Sequence, residues 1–578
     1  MRNYIHFVVL LFISLLSTAA IFFFYFPIRN VPIPFLIIGF LLISGVYTTF
    51  YRKYLRDKML FSKKQPWFLI FSSALLAILF LVSTKGPQQY LLDNSTIIIA
   101  LTYLGSFLFV ASCIGLIISF IIHLENRNLK QPKIQDFLLY FSIPFLTGIV
   151  YFIGFYPAGM SPDSLSSWDQ AHTKVFNDWH PIVFTWLIMV LSYIWDSPAI
   201  VSLFQITILS LIIGYSFYQF QYLGVRKSIL TLTSIIIAFI PSYGIFNIII
   251  WKDVLFSGSL LIFTVTLYLI VHSKGKWLTS KGNIFIFFLS SFGVVFLRHN
   301  GFPIFVLTMI ALLLLYWRAV WKIAGPIFLL LVVSHQILTG PIFTYLNVKP
   351  SDPNEALSIP TQQIANIIKN DGNLTKEQLE YFDSIFPIEM WKEKYLPHTV
   401  DPIKFSWNDY NRSVIYEDFP KYFRMWGEAV VQNPSLAMEA FIKHTALVWQ
   451  MSTPHYGYTS TYINLIMEND YGLKSAPISS AVNSSLNQYL ELSKHLPLIK
   501  LVWRPAFYGF IILLFSVAII KKYGWKSMII IFPFLLNMLS VMAALPAQDF
   551  RYLFANVLIS FVIPLIAFIN PKRIEESK

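Results

Sequence analysis

The chain has 578 residues, of which 56% are hydrophobic, 17% aromatic and only 12% charged. No water-soluble core hides that much apolar surface, so composition excludes a soluble globular protein and predicts an all-α polytopic membrane protein. The formal charge of +14 then belongs to Lys- and Arg-rich cytoplasmic loops rather than to a nucleic-acid surface, and a single cysteine, Cys113, excludes an intramolecular disulfide framework.

The first apolar segment, about residues 4–26, has the roughly 20 residues that a spanning helix needs and is longer than a signal-peptide core. It is expected to stay as an uncleaved anchor. Further spans are predicted at about 31–51, 66–84, 97–122, 135–157, 198–222, 228–249, 254–272, 283–298, 302–317, 323–345, 501–520, 527–546 and 552–570, fourteen in all. The segment PIVFTWLIMVLSYIW, residues 181–195, is apolar but short, about 22 Å as a helix against a hydrocarbon core of about 30 Å. It is expected to lie in the outer interface, with Trp186, Tyr193 and Trp195 at headgroup level.

Loop charges test this topology, because short cytoplasmic loops are enriched in Lys and Arg. With both termini in the cytoplasm of a plasma-membrane protein, the inward segments hold Arg52, Lys53, Arg56, Lys58, Lys63 and Lys64; Arg127, Lys130 and Lys133; Arg226 and Lys227; Lys274, Lys276 and Lys281; Arg318 and Lys322; Lys521, Lys522 and Lys526. The short outward loops and helix ends keep only Arg29, Lys85, Lys174, Lys252, Arg298 and Arg551. Counting 181–195 as a span would put Arg226, Lys227, Lys274, Lys276 and Lys281 outside.

The spans divide the chain into an N-terminal four-helix membrane module (1–134), a transmembrane core (135–345) with a first outer loop at 158–197, a mainly helical extracytoplasmic domain (346–500) and a C-terminal three-helix membrane segment (501–578). Within the extracytoplasmic domain, Trp391, Trp407, Trp426 and Trp449 are candidates for stacking on sugar, although packing is the stronger explanation for any one of them.

Four polar groups share the predicted outer boundary. Asp163, Asp169 and His180 lie in the first outer loop, Lys252 and Asp253 in IIIWKDVLFSG, Arg298, His299 and Asn300 in FLRHNGFP, and Asp549, Arg551 and Tyr552 in PAQDFRYLF. Ionisable groups so close to helix ends are costly to desolvate and mark substrate sites, with snorkelling to the headgroups as the bland alternative. The cations suit an anionic, lipid-linked substrate whose phosphate they would hold as it leaves, and a carboxylate such as Asp163 suits a general base taking a proton from an incoming hydroxyl.

The acidic outer loop, followed by HPIVFTWLIMVLSYIW, then AIVSLFQITILSLIIGYSFYQFQYLGVRK, and the late QDFRY, resembles the C-type (GT-C) glycosyltransferase superfamily. The likeness is to protein O-mannosyltransferases and lipid A aminoarabinose transferases, and covers about residues 135–345 and 501–570. It implies a GT-C-like fold and transfer of a sugar from a polyprenyl-phosphate donor to an envelope glycan, glycolipid or protein acceptor, with Asp163 as base and Asp169 as the second acid. Two departures stand out: Ser164 follows Asp163 where many relatives have a second acid, and the loop has no Asp-x-Asp to hold a divalent metal. The expected cofactor is therefore none.

A transporter or flippase of lipid-linked sugars is the competing reading. It would place polar groups near the bilayer midplane on broken helices, where the sequence offers chiefly Gln205, His335 and Asn537. An outer-face acyl or phosphoryl transferase is a third, favoured only by His335.

Overall fold

The structure is a computed structural model that describes residues 2–25, 32–50, 52, 66–84, 95–124, 131–454, 456, 462–496 and 499–571. Arg29, Lys53, Arg56, Lys58, Lys63, Lys64, Lys85, Arg127 and Lys130 lie outside the described residues. The fold is all-α: among the described residues there is no strand, only isolated bridges such as Gly159 with Ile249. Among the described residues, eight helices are long and apolar enough to cross a membrane, so this is a multi-pass membrane protein.

Helices α1 (Arg2–Tyr25), α2 (Ile33–Phe50), α3 (Pro66–Ser83) and α4 (Thr96–His123) come first. Apolar helices gain nothing from water exclusion inside lipid, so small residues and hydroxyls hold them together. Ser17 donates to the Gly105 carbonyl at 2.9 Å and sits 2.7 Å from the Tyr47 hydroxyl, joining α1, α2 and α4.

Helix α5 (Ile134–Gly154) leads to two short helices, α6 (Pro162–Thr173) and α7 (Ile182–Ser192), before α8 (Pro198–Tyr222) returns antiparallel to α5. Asp136 at the start of α5 pairs with Lys227 at 2.6 Å and accepts from Gln221 at 3.0 Å. These contacts mark one end of the bundle as basic. The opposite end, where α6 and α7 lie, is the site end.

The span expected over 228–249 is not one helix. It is α9 (Lys227–Ala238), a single turn at Pro241–Phe246, and extended backbone through Trp251. Proline explains the break: the residue before it is driven out of the helical region, and Ile240 has ψ of 116°. Irregular backbone within a membrane domain must be satisfied by protein. Gln205 donates to the carbonyls of Asn247 (3.2 Å) and Ile249 (2.8 Å), Ser202 to that of Ile248 (3.2 Å), and Ser164 to that of Ile250 (2.7 Å).

Helix α10 (Lys252–His272) starts where that extended stretch ends and is the most deeply buried helix of the bundle. Then come α11 (Lys281–Phe296) and the apolar run Gly301–Tyr345, whose regular part is α12 (Gly301–Ile337). At 37 residues a straight α12 would run about 55 Å, nearly twice the bilayer core. It does not run straight: Tyr316 leaves helical geometry (φ −129°, ψ 22°), and the two arms fold back so that Phe302 stacks on His335 at 3.8 Å and Phe305 lies 6.0 Å from Phe328. The sequence expectation of two spans, 302–317 and 323–345, corresponds to these two arms.

Residues 346–500 sit at the site end. Their own core of Ile364, Phe382, Trp391, Tyr422 and Met425 is gathered by α13 (Ser358–Lys369), α14 (Phe419–Gln432), α15 (Pro434–His444) and shorter turns. Helix α16 (Ser480–His495) returns to the bundle, where Asn483 donates to the Gly154 carbonyl at 2.8 Å. Three more helices, α17 (Pro505–Tyr523), α18 (Phe532–Ala544) and α19 (Phe554–Phe568), complete it. Lys522 donates to the Ala567 carbonyl (2.6 Å) and Lys526 to the Leu315 carbonyl (3.4 Å) at the basic end.

The hairpin in α12 gives a direct test. In a Cys113→Ser background, cysteines at Phe302 and His335 are expected to be bridged by a short bismaleimide; a straight helix would hold them about 50 Å apart, and absence of cross-linking would reject the fold-back.

Candidate functional site

The site begins with a backbone clasp. Gly159 donates to the Ile248 carbonyl at 2.9 Å and accepts from Ile250 at 3.0 Å. Only glycine fits there, because a Cβ would collide with the Ile463 carbonyl oxygen. Ser161 caps α6, with Pro162 in its first turn and Ser164 completing the box, the pattern expected of a helix start. Asp163 therefore stands in the first turn of α6, where the helix dipole favours a carboxylate, beside the segment that delivers Lys252.

Asp163 meets Arg551 at 2.6 Å and His180 at 3.6 Å. On the far side of the buried His180 ring, the Lys252 ammonium donates to Nδ1. That contact fixes the tautomer: Nδ1 accepts, so Nε2 carries the hydrogen and faces Asp163. His180 thus binds within this chain and does not cap α7, whose first turn is closed by the Pro181 carbonyl.

Arg551 projects from a single turn, Phe550–Leu553, that Asp549 starts by accepting from its backbone N–H at 3.0 Å. Asp549 also pairs with the Arg551 guanidinium at 3.1 Å, and the guanidinium lies 4.9 Å from the Trp251 ring centroid. Arg298 pairs with buried Asp253 at 3.2 Å, donates to the Tyr552 carbonyl at 3.1 Å and rests on the Phe256 and Tyr552 rings. Three cations (Lys252, Arg298, Arg551) thus stand against three carboxylates (Asp163, Asp253, Asp549).

Burial opposes the charge on Asp163, but the His180 contact and the charges of Arg551 and Lys252 outweigh it and hold the carboxyl well below the usual carboxylate range. Burial and the neighbouring Lys252 charge push His180 down, against the pull of Asp163. Asp549 is pushed up to about 6, because burial outweighs the effect of Arg551. Burial takes His299 down to about 4, so its ring is neutral at pH 7.

These groups open on a cavity of about 520 Å³ between the bundle and residues 346–500, a size that suits a small-molecule site. Asp163, His180, Lys252, Arg298, His299, Asn300, Arg551 and Tyr552 line it. Asp253 and Asp549 stand behind the arginines they pair with. Asn300 donates to Ser540 at 2.7 Å, tying the α12 start to α18.

Asp169 is not brought to this cavity. Six residues along α6 turn it about 120° from Asp163, toward Tyr471, whose hydroxyl is pushed up by burial and by the hydrogen bond and charge of Asp169. Residues 346–500 supply a wall that the sequence reading missed: Asp352, Glu355, Asp401, Lys404 and Phe405, facing Trp179. Nothing local in the sequence signals them, since they meet loop 158–197 only through the fold. The same unit also holds the Arg551 segment: Gln548 donates to the Lys443 carbonyl (2.6 Å) and its N–H to the His398 carbonyl (2.8 Å), while His444 donates to the Leu545 carbonyl (2.5 Å). Among the described residues, no three His, Cys, Asp or Glu side chains converge as metal ligands.

Residues 155–578 match a family of unknown function, DUF6020. The chain belongs to that family. No curated protein and no solved structure matches the chain. The DUF6020 match begins one turn before the Gly159 clasp and includes every residue that lines the cavity.

Beside His299, burial pushes Asp178 up to about 6. That lies above the roughly 3.9 of an unfolded Asp, so its charge costs stability above pH 6, and the cost vanishes as pH falls below about 4. Asp178→Asn is expected to stabilise the protein by on the order of 1–2 kcal/mol at pH 7.5 and to be neutral near pH 4, read from unfolding midpoints. A pH-independent difference would show that the carboxylate is not strained by burial.

Proposed function

We propose that this chain is an integral membrane glycosyltransferase that moves a sugar from a polyprenyl-phosphate carrier to a cell-envelope acceptor on the outer face. The observation that carries the reading is the cavity at one end of the bundle where Lys252, Arg298 and Arg551 meet Asp163 beneath residues 346–500. Leaving α7 aside, counting the two arms of α12 separately and taking the five shorter apolar helices, α9 with its broken continuation among them, as crossings too gives fourteen among the described residues. That number puts the basic loops at 226–227, 274–281, 318–322 and 521–526 on one side and the cavity on the other, which supports an extracytoplasmic site. The order of an acidic first loop, a short helix too short to span and a late QDFRY supports the GT-C-like reading.

In the free protein Asp163 is a weak base, because the His180 hydrogen bond and the charges of Arg551 and Lys252 stabilise its carboxylate against burial. An arriving phosphate competes for Arg551, and as that cation turns to it the Asp163 carboxylate regains basicity. The acceptor hydroxyl then gives its proton to Asp163 while its oxygen bonds to the anomeric carbon. The bond from that carbon to the phosphate oxygen breaks, and the electron pair leaves on the phosphate, held by Lys252, Arg298 and Arg551. Attack opposite the leaving group inverts the anomeric configuration. His180 holds the Asp163 carboxylate in place, and Lys252 holds His180.

A transporter reading gains little from the polar groups at mid-depth. Gln205 is spent on the broken segment after α9, and Asn537 lies 3.4 Å from Asn300.

The test is sugar transfer by purified protein in lipid, with labelled polyprenyl-phosphate sugars and envelope acceptors. Asp163→Asn is expected to lose at least 100-fold in rate with its thermal unfolding retained, and Asp169→Asn to stay near wild type. Arg298→Ala and Arg551→Ala should each weaken donor binding about 10- to 100-fold, the value of a charge-assisted hydrogen bond. Normal donor affinity in both variants would reject the phosphate role, and carrier moved between leaflets without transfer would make this a transporter.

A further inference from the structure

The reaction proposed above uses only one half of the cavity. The other half is chemically different. It is walled by Trp179 from the first loop and by Asp352, Glu355, Asp401, Lys404 and Phe405 from residues 346–500. The Trp179 and Phe405 rings stack 6.3 Å apart with planes 12° from parallel, although they belong to parts of the chain more than 200 residues apart. The Lys404 ammonium lies 5.7 Å from the Trp179 centroid and 4.8 Å from that of Phe405, and it pairs with Glu355. Asp352 is taken by Arg412 and Tyr416. Three carboxylates (Asp352, Glu355, Asp401) against two cations (Lys404, Arg412) leave this half with one negative charge in excess.

Flat rings beside carboxylates and a lysine offer both surfaces of a sugar what they need. The C–H face of the ring packs on aromatic carbon, while the hydroxyls donate to carboxylates and accept from an ammonium. The excess negative charge works against an anionic polymer. Trp391, Trp407 and Trp426 do not compete for this role: Trp391 is buried in the core of residues 346–500, Trp407 carries Arg412 at 4.0 Å on its ring, and Trp426 donates to Gln363.

We propose that this half of the cavity is a sugar-ring subsite, in which Trp179 and Phe405 contact the ring of an uncharged glycosyl unit and Asp401, Glu355 and Lys404 bond its hydroxyls. The inference deepens the glycosyltransferase reading and rests on it for the origin of the sugar. The ring is either the donor's sugar or a sugar of the acceptor, since both present the same chemistry.

The experiment is saturation-transfer NMR on the full chain in nanodiscs. The probes are methyl glycosides of glucose, galactose, mannose, N-acetylglucosamine and arabinose, with oligomeric glycerol phosphate as the anionic contrast. At least one glycoside is expected to show transfer to its ring C–H protons, falling at least fivefold in Trp179→Ala and in Phe405→Ala and recovering in Trp179→Phe. Undecaprenyl phosphate binding, which reports the cationic half, is read on the same samples to show that each variant keeps a formed cavity. Transfer that persists in both alanine variants, glycerol phosphate bound in preference to every glycoside, or no glycoside bound by wild type would each overturn the subsite. Displacement of the glycoside by undecaprenyl-phosphate glucose supports the subsite and assigns it to the donor sugar; co-binding supports it and assigns it to the acceptor. Glycoside binding without undecaprenyl phosphate binding would remove the carrier-lipid reading and leave the sugar subsite standing.

Discussion

The Asp163–Arg551 pair is the contact on which the site depends. Its two members are 388 residues apart, one in the first turn of α6 and the other in the turn that opens α19. An arginine held among Trp251, Tyr552 and Asp549 at the edge of a membrane domain is too costly to leave uncompensated. Its neutralisation by Asp163 lets the first loop and the last helix close on each other with no substrate present. Together with the His180 hydrogen bond, the same pair holds the carboxyl in its charged form, and on the glycosyltransferase reading an anion that engages the guanidinium would restore part of its basicity. Resting stability and latent reactivity thus have one cause.

A second constraint fixes where that pair forms. The backbone from Asn247 to Trp251 leaves the helix through a turn at 247–248 into an extended stretch, is buried inside the bundle, and each carbonyl there must find a partner. Gln205 and Ser202 supply partners from α8, and Gly159 and Ser164 from the loop that carries Asp163. The satisfaction of a broken helix therefore draws the acidic loop onto the segment that ends in Lys252. From there Lys252 reaches His180, and His180 reaches Asp163. Replacing Pro241 with continuous helix would relieve the polar cost and remove the reason for the loop to dock.

Sequence alone made the apolar helices legible, because burial in lipid needs length and hydropathy and both are local properties. The cations were legible for the opposite reason: Lys252, Arg298 and Arg551 are out of place in apolar surroundings. The break after α9 was not, since Pro241 lies within a run as apolar as the helices beside it. The reversal of α12 near Tyr316 was legible by charge alone: no proline or glycine marks it, but the basic pair Arg318 and Lys322 showed where a turn had to fall between the two expected spans. Asp163 and Asp169 looked equivalent in a loop, and only the helical period of α6 separates the cavity-lining acid from the one that faces Tyr471. Asp352, Glu355, Asp401 and Lys404 carry no local signal at all, because a charged residue in a polar segment is ordinary until a fold sets it against a cavity.

The two halves of that cavity are mechanically joined. Residues 545–549 run directly into Arg551; their backbone is held by His398, Val400 and His444, and the Gln548 side chain by the Lys443 carbonyl. Val400 is followed at once by Asp401, and Lys404 and Phe405 stand one turn further along the same chain. On the glycosyltransferase reading, a sugar ring against Phe405 and Asp401 would press on the segment whose other attachment positions Arg551. The Arg551 guanidinium is tethered, through two backbone hydrogen bonds, the His444 ring and the Gln548 amide, to the wall that carries Asp401, Lys404 and Phe405. On the glycosyltransferase reading, this tether makes occupation of the sugar half a condition on the geometry of the phosphate half. A site with unlinked halves would release the carboxylate whenever carrier phosphate arrived, with water as the nearest nucleophile.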